Sequence, residues 1–272
     1  MSERSERSRS SWLRGPWGRV RSAAQPTNVA ITVDLEHDCP PFLTTYRGVT
    51  QGMPRLLDLL AKEGVPATFF CTGDVARKHP EIVRRLVDEG HELGCHGDSH
   101  ARFGAMDRAT AGRELADAGQ TLRAFGCPVT SFRAPNLDFP SAFVPLLAAH
   151  GFRLDSSQGK HKPGSFFVQP SFVAAGVDGI ERVPATIAPS AVRLPKLVRQ
   201  ALFSRMRDPV VFFFHPWEFV DVTREPIPLD CRFGTGEPAL ASLRETIAWF
   251  RRRGATFRRM RELSHHATRR AA

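Results

Sequence analysis

Two histidines and three acidic residues follow short apolar runs in this sequence. His96 and His100 come directly after the run at 92–95. The earlier run at 29–33 is followed by acidic residues at alternate positions: Asp34, Glu36 and Asp38. Two imidazoles and one carboxylate suffice to hold a catalytic divalent metal ion with one coordination position open, and another carboxylate nearby can serve as general base. Since a histidine pair at this spacing also occurs on ordinary helix faces, the prediction of a metal site depends on the acidic residues.

Three further ionisable residues follow predicted strands: Arg133, Asp155 and His215. An arginine is always charged and can orient a catalytic carboxylate or lower its pKa. A histidine can protonate a departing amine or stabilise an oxyanion. Together with a metal ion that polarises a carbonyl and acidifies water, these residue types predict hydrolysis of an amide or an ester. Asp155 is also of a residue type that commonly caps a helix or a turn.

Short apolar runs alternate with longer helical patterns along the chain. The predicted strands are 29–33, 67–71, 92–95, 129–132, 152–154, 180–183, 210–214 and 255–258. The predicted helices are 50–63, 80–89, 110–124, 141–149, 194–206 and 238–253. This order favours a parallel sheet wrapped by helices. The predicted fold class is therefore α/β, a single distorted β/α barrel of seven or eight mostly parallel strands. The stretch 160–178, interrupted by glycine and proline, is predicted to be a long surface loop.

Parallel strands place their carboxyl ends on one face of such a barrel, and active sites usually lie there. The ionisable residues named above all follow the carboxyl ends of predicted strands. A buried apolar run has no structural requirement to end in histidine or aspartate. The pattern therefore predicts that residues far apart in the sequence share one pocket.

The positive charge is concentrated at the two ends of the 272-residue chain. Residues 1–29 carry six Arg and two Glu, and residues 251–272 carry eight Arg and one Glu, so the ends hold +4 and +7 of the net +10 and the remainder is −1. We predict a disordered basic segment over 1–28, a barrel domain over 29–260 and a basic tail over 261–272. The basic ends favour solvation or peripheral contact with an anionic membrane surface. No nucleic acid partner is expected, because no zinc finger, RRM-like or helix-turn-helix pattern occurs.

The cysteines and the apolar runs bear on localisation. Five scattered cysteines without a Cys-x-x-Cys pair favour a reducing compartment. No run approaches the roughly eighteen apolar residues of a membrane span, and the N-terminal stretch lacks the apolar core of a signal peptide. The expected location is cytoplasmic, with peripheral contact to the inner membrane face as an option.

Five ordered segments resemble the motifs of the polysaccharide deacetylase family, the NodB-homology enzymes of carbohydrate esterase family 4. The segments are Thr32-Val33-Asp34-Leu35-Glu36, His96-Gly97-Asp98-Ser99-His100, Phe132-Arg133-Ala134-Pro135, Asp155-Ser156-Ser157 and Phe214-His215-Pro216-Trp217-Glu218. Residues 67–70 and 90–94 are also similar to the family. The resemblance spans roughly residues 29–260. It is specific for the fold and much less specific for the substrate.

The resemblance implies a role for individual residues: Asp34 as the catalytic base, Arg133 as the residue that orients it, His215 as the general acid, and His96 and His100 as metal ligands. The metal is expected to be zinc, with cobalt or manganese as alternatives. The candidate substrate contacts are Asp155, Trp217 and Pro135. A tryptophan beside the general acid can stack on a sugar ring or belong to the core.

One position departs from the family pattern. The second aspartate of the first motif, a metal ligand in the family, falls on Leu35, which cannot bind a metal. In an extended chain Leu35 would point to the opposite face from its neighbours. By analogy with Asp-x-Glu relatives, Glu36 takes the ligand role. Asp38 is the alternative, because it would lie on the same face of an extended chain as Glu36.

Three functions remain open at this stage. The first is a metal-dependent hydrolase that removes an acyl group, expected to be N-acetyl, from an amino-sugar conjugate. Without an export signal, a nucleotide-linked or lipid-linked sugar is expected rather than an extracellular polymer. The second is a deformylase or amidohydrolase acting on a lipid-linked sugar or on a non-sugar amide or ureide, since residues 45–57 are similar to deformylases of lipid-linked aminoarabinose. The third is a non-catalytic carbohydrate-binding barrel, which the leucine at position 35 would allow. A serine hydrolase is not expected, because no Gly-x-Ser-x-Gly elbow occurs.

Overall fold

The computed structural model describes residues 28–159 and 179–263. The predicted surface loop at 160–178, and nearly all of the predicted basic segment and basic tail, lie outside the described residues. Asn28 belongs to the first strand, and the last described residues form a 3-10 turn, Met260–Leu263. The ordered elements therefore extend slightly beyond both ends of the predicted range 29–260.

Eight strands occur in the described residues, and all of them pair in parallel. They are β1 (Asn28–Leu35), β2 (Ala67–Cys71), β3 (Glu92–Cys95), β4 (Ser131–Phe132), β5 (Leu154–Asp155), β6 (Glu181–Arg182), β7 (Val210–Phe214) and β8 (Thr256–Phe257). The sheet order is β6-β5-β4-β3-β2-β1-β7, with β8 beside the start of β1. Beyond β6, Ile187 bridges to Phe212 of β7. The sheet thus curls back on itself, and the predicted distorted β/α barrel is confirmed.

Nine α-helices occur in the described ranges. They are α1 (Met53–Glu63), α2 (Gly73–Lys78), α3 (Pro80–Asp88), α4 (Arg108–Arg123), α5 (Val144–Ala149), α6 (Pro189–Val192), α7 (Lys196–Phe203), α8 (Leu229–Arg232) and α9 (Glu237–Arg251). Gly64 closes α1 with a φ of 60°, as glycine there predicts. The sequence prediction missed α2, a short helix that begins where the Thr72 side chain accepts a hydrogen bond from the backbone N–H of Val75. None of the described helices has the length and apolar character needed to cross a membrane.

Alternation along β1 separates two environments. Val33 and Leu35 belong to the large apolar core between the sheet and the helices. Ala30 instead packs inside the barrel with Phe70 and Val211. Because successive side chains of a strand point to opposite faces, the even-numbered residues of β1 face the barrel interior. Glu36 continues that series, and the predicted outward orientation of Leu35 is confirmed.

The amino-terminal end of the barrel is closed by the turn Met260–Leu263. The backbone N–H of Met260 donates to the hydroxyl of Thr68 over 2.9 Å, and the N–H of Arg261 donates to Glu92 Oε2 over 3.0 Å. The hydroxyls of Thr68 and Ser131 also donate to Glu92, over 2.8 and 2.6 Å. Glu92 is fully buried, and burial raises its pKa above the usual range despite these hydrogen bonds. This end therefore holds a hydrogen-bonded carboxyl group and leaves the opposite end as the open one.

Candidate active site

One carboxylate and two imidazoles meet at the carboxyl ends of β1 and β3. Glu36 Oε2 lies 3.0 Å from His96 Nε2 and in closer contact with His100 Nε2. One ligand atom from each of the three side chains lies within 4.8 Å of the other two. All three side chains are at most 8% exposed. This is a compact set of nitrogen and oxygen donors of the kind that binds zinc.

The ring of His96 is oriented by the backbone. Its Nδ1–H donates to the carbonyl oxygen of Arg133 over 2.7 Å, and its Nε2 faces Glu36. Burial alone would raise the pKa of Glu36, but the charges and hydrogen bonds of His100 and His96 outweigh burial and lower it. Burial opposes the charge on His96, yet Asp34 and Glu36 raise its pKa. A histidine that donates its other N–H to a carbonyl is the usual arrangement of a metal ligand.

Asp34 is held by a fully buried arginine. Arg133 donates to Asp34 Oδ1 over 2.7 Å and to the hydroxyl of Thr32 over 2.8 Å from the same nitrogen. Its other terminal nitrogen donates to the hydroxyl of Ser156 over 2.9 Å. The guanidinium also lies over the ring of Phe70, at 4.3 Å from its centroid. Buried arginine and aspartate thus form a charged pair whose geometry is set by contacts on several sides.

The segment after β5 supports this arginine. Ser157 accepts a hydrogen bond from the backbone N–H of Ala134 over 2.9 Å, next to Arg133 in the chain. Asp155 accepts from the N–H of Ser157 over 2.9 Å and pairs with Arg182 Nε at 3.3 Å. Burial raises the pKa of Asp155. The contacts of Asp155 resemble those of a turn cap, and its predicted substrate contact stays a prediction.

His215, at the end of β7, faces the same cleft from the other side. Its Nε2 lies 4.0 Å from Glu36 Oε1, and its Nδ1 lies 3.1 Å from Glu218 Oε1. Burial would lower the pKa of His215, but Glu218, Glu36 and Asp34 together raise it. The structure therefore brings the candidate base, the candidate acid and the three candidate ligands to one mouth of the barrel, as their positions after strands predicted.

The carboxylate of Asp38 has different partners from that of Glu36, two residues earlier in the chain. Its carboxylate accepts hydrogen bonds from the Thr45 hydroxyl over 2.6 Å and from the backbone N–H groups of Arg47 and Gly48, each over 2.8 Å. A Cβ at Gly48 would lie 2.4 Å from the backbone nitrogen of Trp217, so only glycine fits there. Asp38 thus anchors the loop that precedes α1. Since its oxygens are occupied and it is absent from the ligand cluster among the described residues, Glu36 is the better candidate ligand.

The two other predicted substrate contacts are both buried. Trp217 is 4% exposed and stacks on His215, with ring centroids 4.0 Å apart. It packs with Val220, Val222 and Ile227 and therefore belongs to a buried hydrophobic cluster. Pro135 is buried and begins the 3-10 turn Pro135–Leu137 that follows Arg133. Contact of either residue with a substrate stays a prediction.

A cavity of about 400 Å³ opens beside the candidate ligands. It is lined by His37, Thr44, Tyr46, Asp74, Arg77, Lys78 and Ser99. The ring of His37 meets the ring of His100 edge-on, with centroids 5.5 Å apart, so the cavity adjoins the ligand cluster. On its wall the Tyr46 hydroxyl donates to Asp74 over 2.5 Å and accepts from Lys78 over 2.8 Å. The cavity therefore presents adjacent donors and acceptors next to the cleft.

Two further side chains at the site have contacts that no motif predicted. Glu218, three residues after His215, contacts the imidazole, and Arg193 pairs with Glu218 from the end of α6. The spacing of Glu218 was a usable signal, because residues three apart in a helical turn lie close together. No local pattern marks Arg193, which reaches the site through the tertiary fold.

Comparisons with known proteins agree with this geometry. Residues 21–154 match the family model described as polysaccharide deacetylase. The chain is 39% identical over 80 residues to the chitooligosaccharide deacetylase of Sinorhizobium fredii and 36% identical over 107 residues to the peptidoglycan deacetylase of Helicobacter pylori. These matches cover 29% and 39% of this chain, but only 37% and 36% of the two relatives. The chain therefore matches little more than a third of the length of these curated relatives.

The fold is shared over nearly the whole chain with a crystal structure from Mycobacterium smegmatis that is named as a polysaccharide deacetylase. The TM-score is 0.64 at 23% identity, and the alignment covers 99% of this chain and 96% of the other. At this identity the likeness speaks for the fold alone. The family model and the curated relatives lead to one conclusion: residues 21–154, just under half of the chain, belong to the polysaccharide deacetylase family.

Proposed function

We propose that this protein is a metal-dependent hydrolase that removes an N-acetyl group from an amino-sugar conjugate. One observation carries the proposal: a three-residue ligand set lies between a carboxylate held by a buried arginine and a histidine held by a carboxylate. These are the parts that hydrolysis of an amide requires, namely activation of water, stabilisation of charge and protonation of the amine. The names of the curated relatives support an acetylated amino sugar as the substrate class.

The ligand set fits a divalent cation. Glu36, His96 and His100 supply one oxygen and two nitrogens within 4.8 Å of one another, and the N–H that His96 donates to a backbone carbonyl fixes the tautomer that a ligand needs. When bound, the cation would polarise the acyl carbonyl and acidify water. We propose zinc, with cobalt and manganese as alternatives, and an Asp-x-Glu variant of the family's first motif in which Glu36 replaces the aspartate expected at position 35.

Asp34 is the proposed general base. Its contact with Arg133 leaves a carboxylate that cannot rotate freely, because the guanidinium is itself fixed by Thr32 and Ser156. A base held in one orientation accepts the proton of the attacking water without first losing side-chain entropy. Arg133 is thus proposed to orient the base rather than to contact the substrate.

His215 is the proposed general acid. Its raised pKa, to which Glu218, Glu36 and Asp34 contribute against burial, favours the protonated ring that an acid needs. Its Nε2 faces the ligand cluster, where the scissile bond would lie. The proton would pass from Nε2 to the leaving nitrogen as the carbon–nitrogen bond breaks.

The cavity beside His100 is the proposed site for the sugar that is linked to the acylated sugar. It is large enough for a hexose, and its wall offers the hydroxyl, carboxylate and ammonium groups of Tyr46, Asp74 and Lys78. Pockets of this kind fix a ligand by a few placed polar groups. Replacement of Lys78 by Met is expected to raise KM for a disaccharide more than for a monosaccharide.

Mass spectrometry of N-acetylated amino-sugar conjugates before and after incubation with zinc-loaded protein tests the proposal. Loss of one acetyl mass, with release of acetate, is the expected result, and chelation of the metal should stop it. His96→Ala serves as the matched variant, because it removes one ligand from the same cleft. Deacetylation that continues unchanged in His96→Ala or with a chelator present would refute metal-dependent hydrolysis. Failure of the zinc-, cobalt- and manganese-loaded proteins on all acetylated sugars would favour the ureide or binding-barrel alternatives.

A further inference from the structure

The imidazole of His215 is held from behind by a carboxylate in its own turn. Glu218 Oε1 lies 3.1 Å from Nδ1 of His215 and also accepts the backbone N–H of His215 over 2.8 Å. The 3-10 turn Pro216–Phe219 brings residues 215 and 218 together. One oxygen of Glu218 thus binds both the backbone and the ring of the same histidine, which fixes the ring relative to the strand end.

The second oxygen of Glu218 is bound by an arginine. Arg193 contacts Glu218 Oε2, and the two side chains are 3% and 2% exposed. Arg193 also donates to the backbone carbonyl of Asp230, and its guanidinium lies 5.1 Å from the ring centroid of Phe233. A buried ion pair costs much of its attraction in desolvation, so stability alone is a weak reason for this one. Its position directly behind an imidazole suggests a role in orienting that ring.

The carboxylate of the fourth family-like segment does not serve His215. Asp155 is engaged with the N–H of Ser157 and with Arg182. In the described parts of the chain, the carboxylate at Nδ1 of His215 is that of Glu218. The carboxylate that contacts His215 therefore belongs to the segment His215–Glu218 itself and not to the fourth family-like segment.

We propose that Glu218, locked by Arg193, is the positioning residue that keeps a proton on Nδ1 of His215 and aims Nε2 at the cleft. This inference rests on the proposed function. The Nδ1–H donates to Glu218 throughout, while the proton on Nε2 passes to the departing nitrogen as the carbon–nitrogen bond breaks. The bonding electron pair stays on that nitrogen, and His215 is left neutral with its remaining proton on Nδ1. The negative charge of Glu218 stabilises the imidazolium before the transfer.

Glutamine cannot replace glutamate in this arrangement. One end of the side chain at 218 accepts from His215 and the other end accepts from Arg193. An amide has one acceptor oxygen and one donor nitrogen. Its NH₂ group must therefore face either the guanidinium or the imidazole, and one contact is lost whichever way it turns.

The test compares two acetyl substrates in the zinc-loaded full-length protein. Acetanilide has a poor leaving group that needs a proton, whereas 4-nitrophenyl acetate has a leaving group that departs without one. For Glu218→Gln we expect kcat on acetanilide to fall at least about 100-fold, the lower range for loss of general acid catalysis, with KM nearly unchanged. On the ester the fall should be less than about fivefold, since acid catalysis contributes little there.

Glu245→Gln is the matched control. Glu245 also pairs with a buried arginine, Arg199, but lies on α9. Both substrates should be hydrolysed by this variant at wild-type rates. Equal losses on both substrates in Glu218→Gln would assign the residue a purely structural role, and no loss on acetanilide would remove it from the reaction; either result overturns the inference.

A second measurement needs neither turnover nor a folded variant. In wild-type protein labelled with ¹⁵N-histidine, the neutral ring of His215 should carry its proton on Nδ1. A ring with its proton on Nε2 would overturn the inference even if both substrates were inert. If the zinc-loaded wild-type protein also leaves every acetylated amino sugar intact while the tautomer is as expected, the proposed function fails and the positioning of His215 by Glu218 stands.

Discussion

The barrel contains a buried glutamate at each end, and the two lie in opposite electrostatic surroundings. Glu92 at the closed end is contacted by hydroxyl and backbone N–H donors, and burial raises its pKa. Glu36 at the open end is contacted by His96 and His100, which lower its pKa although it is just as buried. Because burial is the same, the partners decide the charge state. Neutral donors tolerate a protonated acid, whereas imidazoles favour a carboxylate.

This difference separates a structural end from a reactive end. At the closed end every hydrogen bond of Glu92 joins two strands or ties the turn Met260–Leu263 to the sheet. At the open end charged groups lie close together, and a ligand that binds only the folded protein there would add to its stability. Changes at the two ends should therefore affect different properties, and the predictions below run from the largest expected effect to the smallest.

Glu36→Gln should have the largest effect. Loss of the ligand charge is expected to weaken zinc binding by more than about 100-fold, the upper range for residues that merely support a ligand. Metal analysis and competition with a chelator measure it. Glu92→Gln is the matched control at the closed end and should keep full zinc occupancy. Equal zinc affinity in wild type and Glu36→Gln, with loss in Asp38→Asn instead, would transfer the ligand role to Asp38.

Asp34→Asn should separate metal binding from catalysis at the open end. The amide keeps the size of the side chain but cannot accept the proton, so kcat should fall by about 10²- to 10⁴-fold. Zinc content should remain that of the wild type, because Asp34 lies outside the ligand cluster. Steady-state kinetics with parallel metal analysis measure both. A fall of less than about tenfold would point to another base.

Glu92→Ala should lower stability without changing the reaction. The substitution leaves the hydroxyls of Thr68 and Ser131 and the N–H of Arg261 short of an acceptor in the interior. We expect the free energy of unfolding to fall by about 3 kcal/mol, as measured by urea titration. The kcat per folded molecule should be unchanged. A loss of activity larger than the loss of folded protein would show that the two ends are coupled.

The pH dependence of stability should differ in sign between the two glutamates in metal-free protein. The raised pKa of Glu92 means that its stabilising contribution is present below its ordinary value of 4.5 and is lost as the pH rises through the folded-state pKa. The lowered pKa of Glu36 means that its contribution is present above 4.5 and is lost as the pH falls. Relative to wild type, Glu92→Gln should therefore gain stability as the pH rises above about 4.5, whereas Glu36→Gln should lose stability as the pH rises towards about 4.5 and show no further change above it.

Urea titrations of the two variants at several pH values check this last prediction, and wild-type protein is the reference at each pH. The same trend in both variants would contradict the contrast between the two ends. The effect should be the smallest of the four, because each variant changes one titrating group.

Much of the fold and the site could be predicted because the signals are local. The apolar run 210–214 is bounded as the sequence predicted, and so are 67–71 and 92–95. The short strands β4, β5 and β6 were placed only within one to two residues, because two-residue strands carry almost no alternation. The helix α2 was missed for the same reason: six residues are too few for a periodic pattern.

The partners of the site residues could not be predicted, because contacts across the barrel leave no mark on local spacing. Arg133 meets Asp34 over a separation of 99 residues. Asp38 lies two residues after Glu36, so alternation along an extended chain would place both on the same face. In the structure, however, donors of the loop at 45–48 form hydrogen bonds to both carboxylate oxygens of Asp38. Only the folded chain shows which carboxylate is bound by N–H groups and which by imidazoles.

The sequence by itself determined the order of strands and helices and the placing of histidines and acids at strand ends, because side-chain periodicity and apolar runs act over a few residues. The tertiary structure decided which of these groups meet: Glu36 rather than Asp38 with the histidines, and Glu218 rather than Asp155 with His215. The physical reason is that charge states and hydrogen bonds depend on distances of a few ångströms, and closure of the barrel sets those distances between residues remote in sequence.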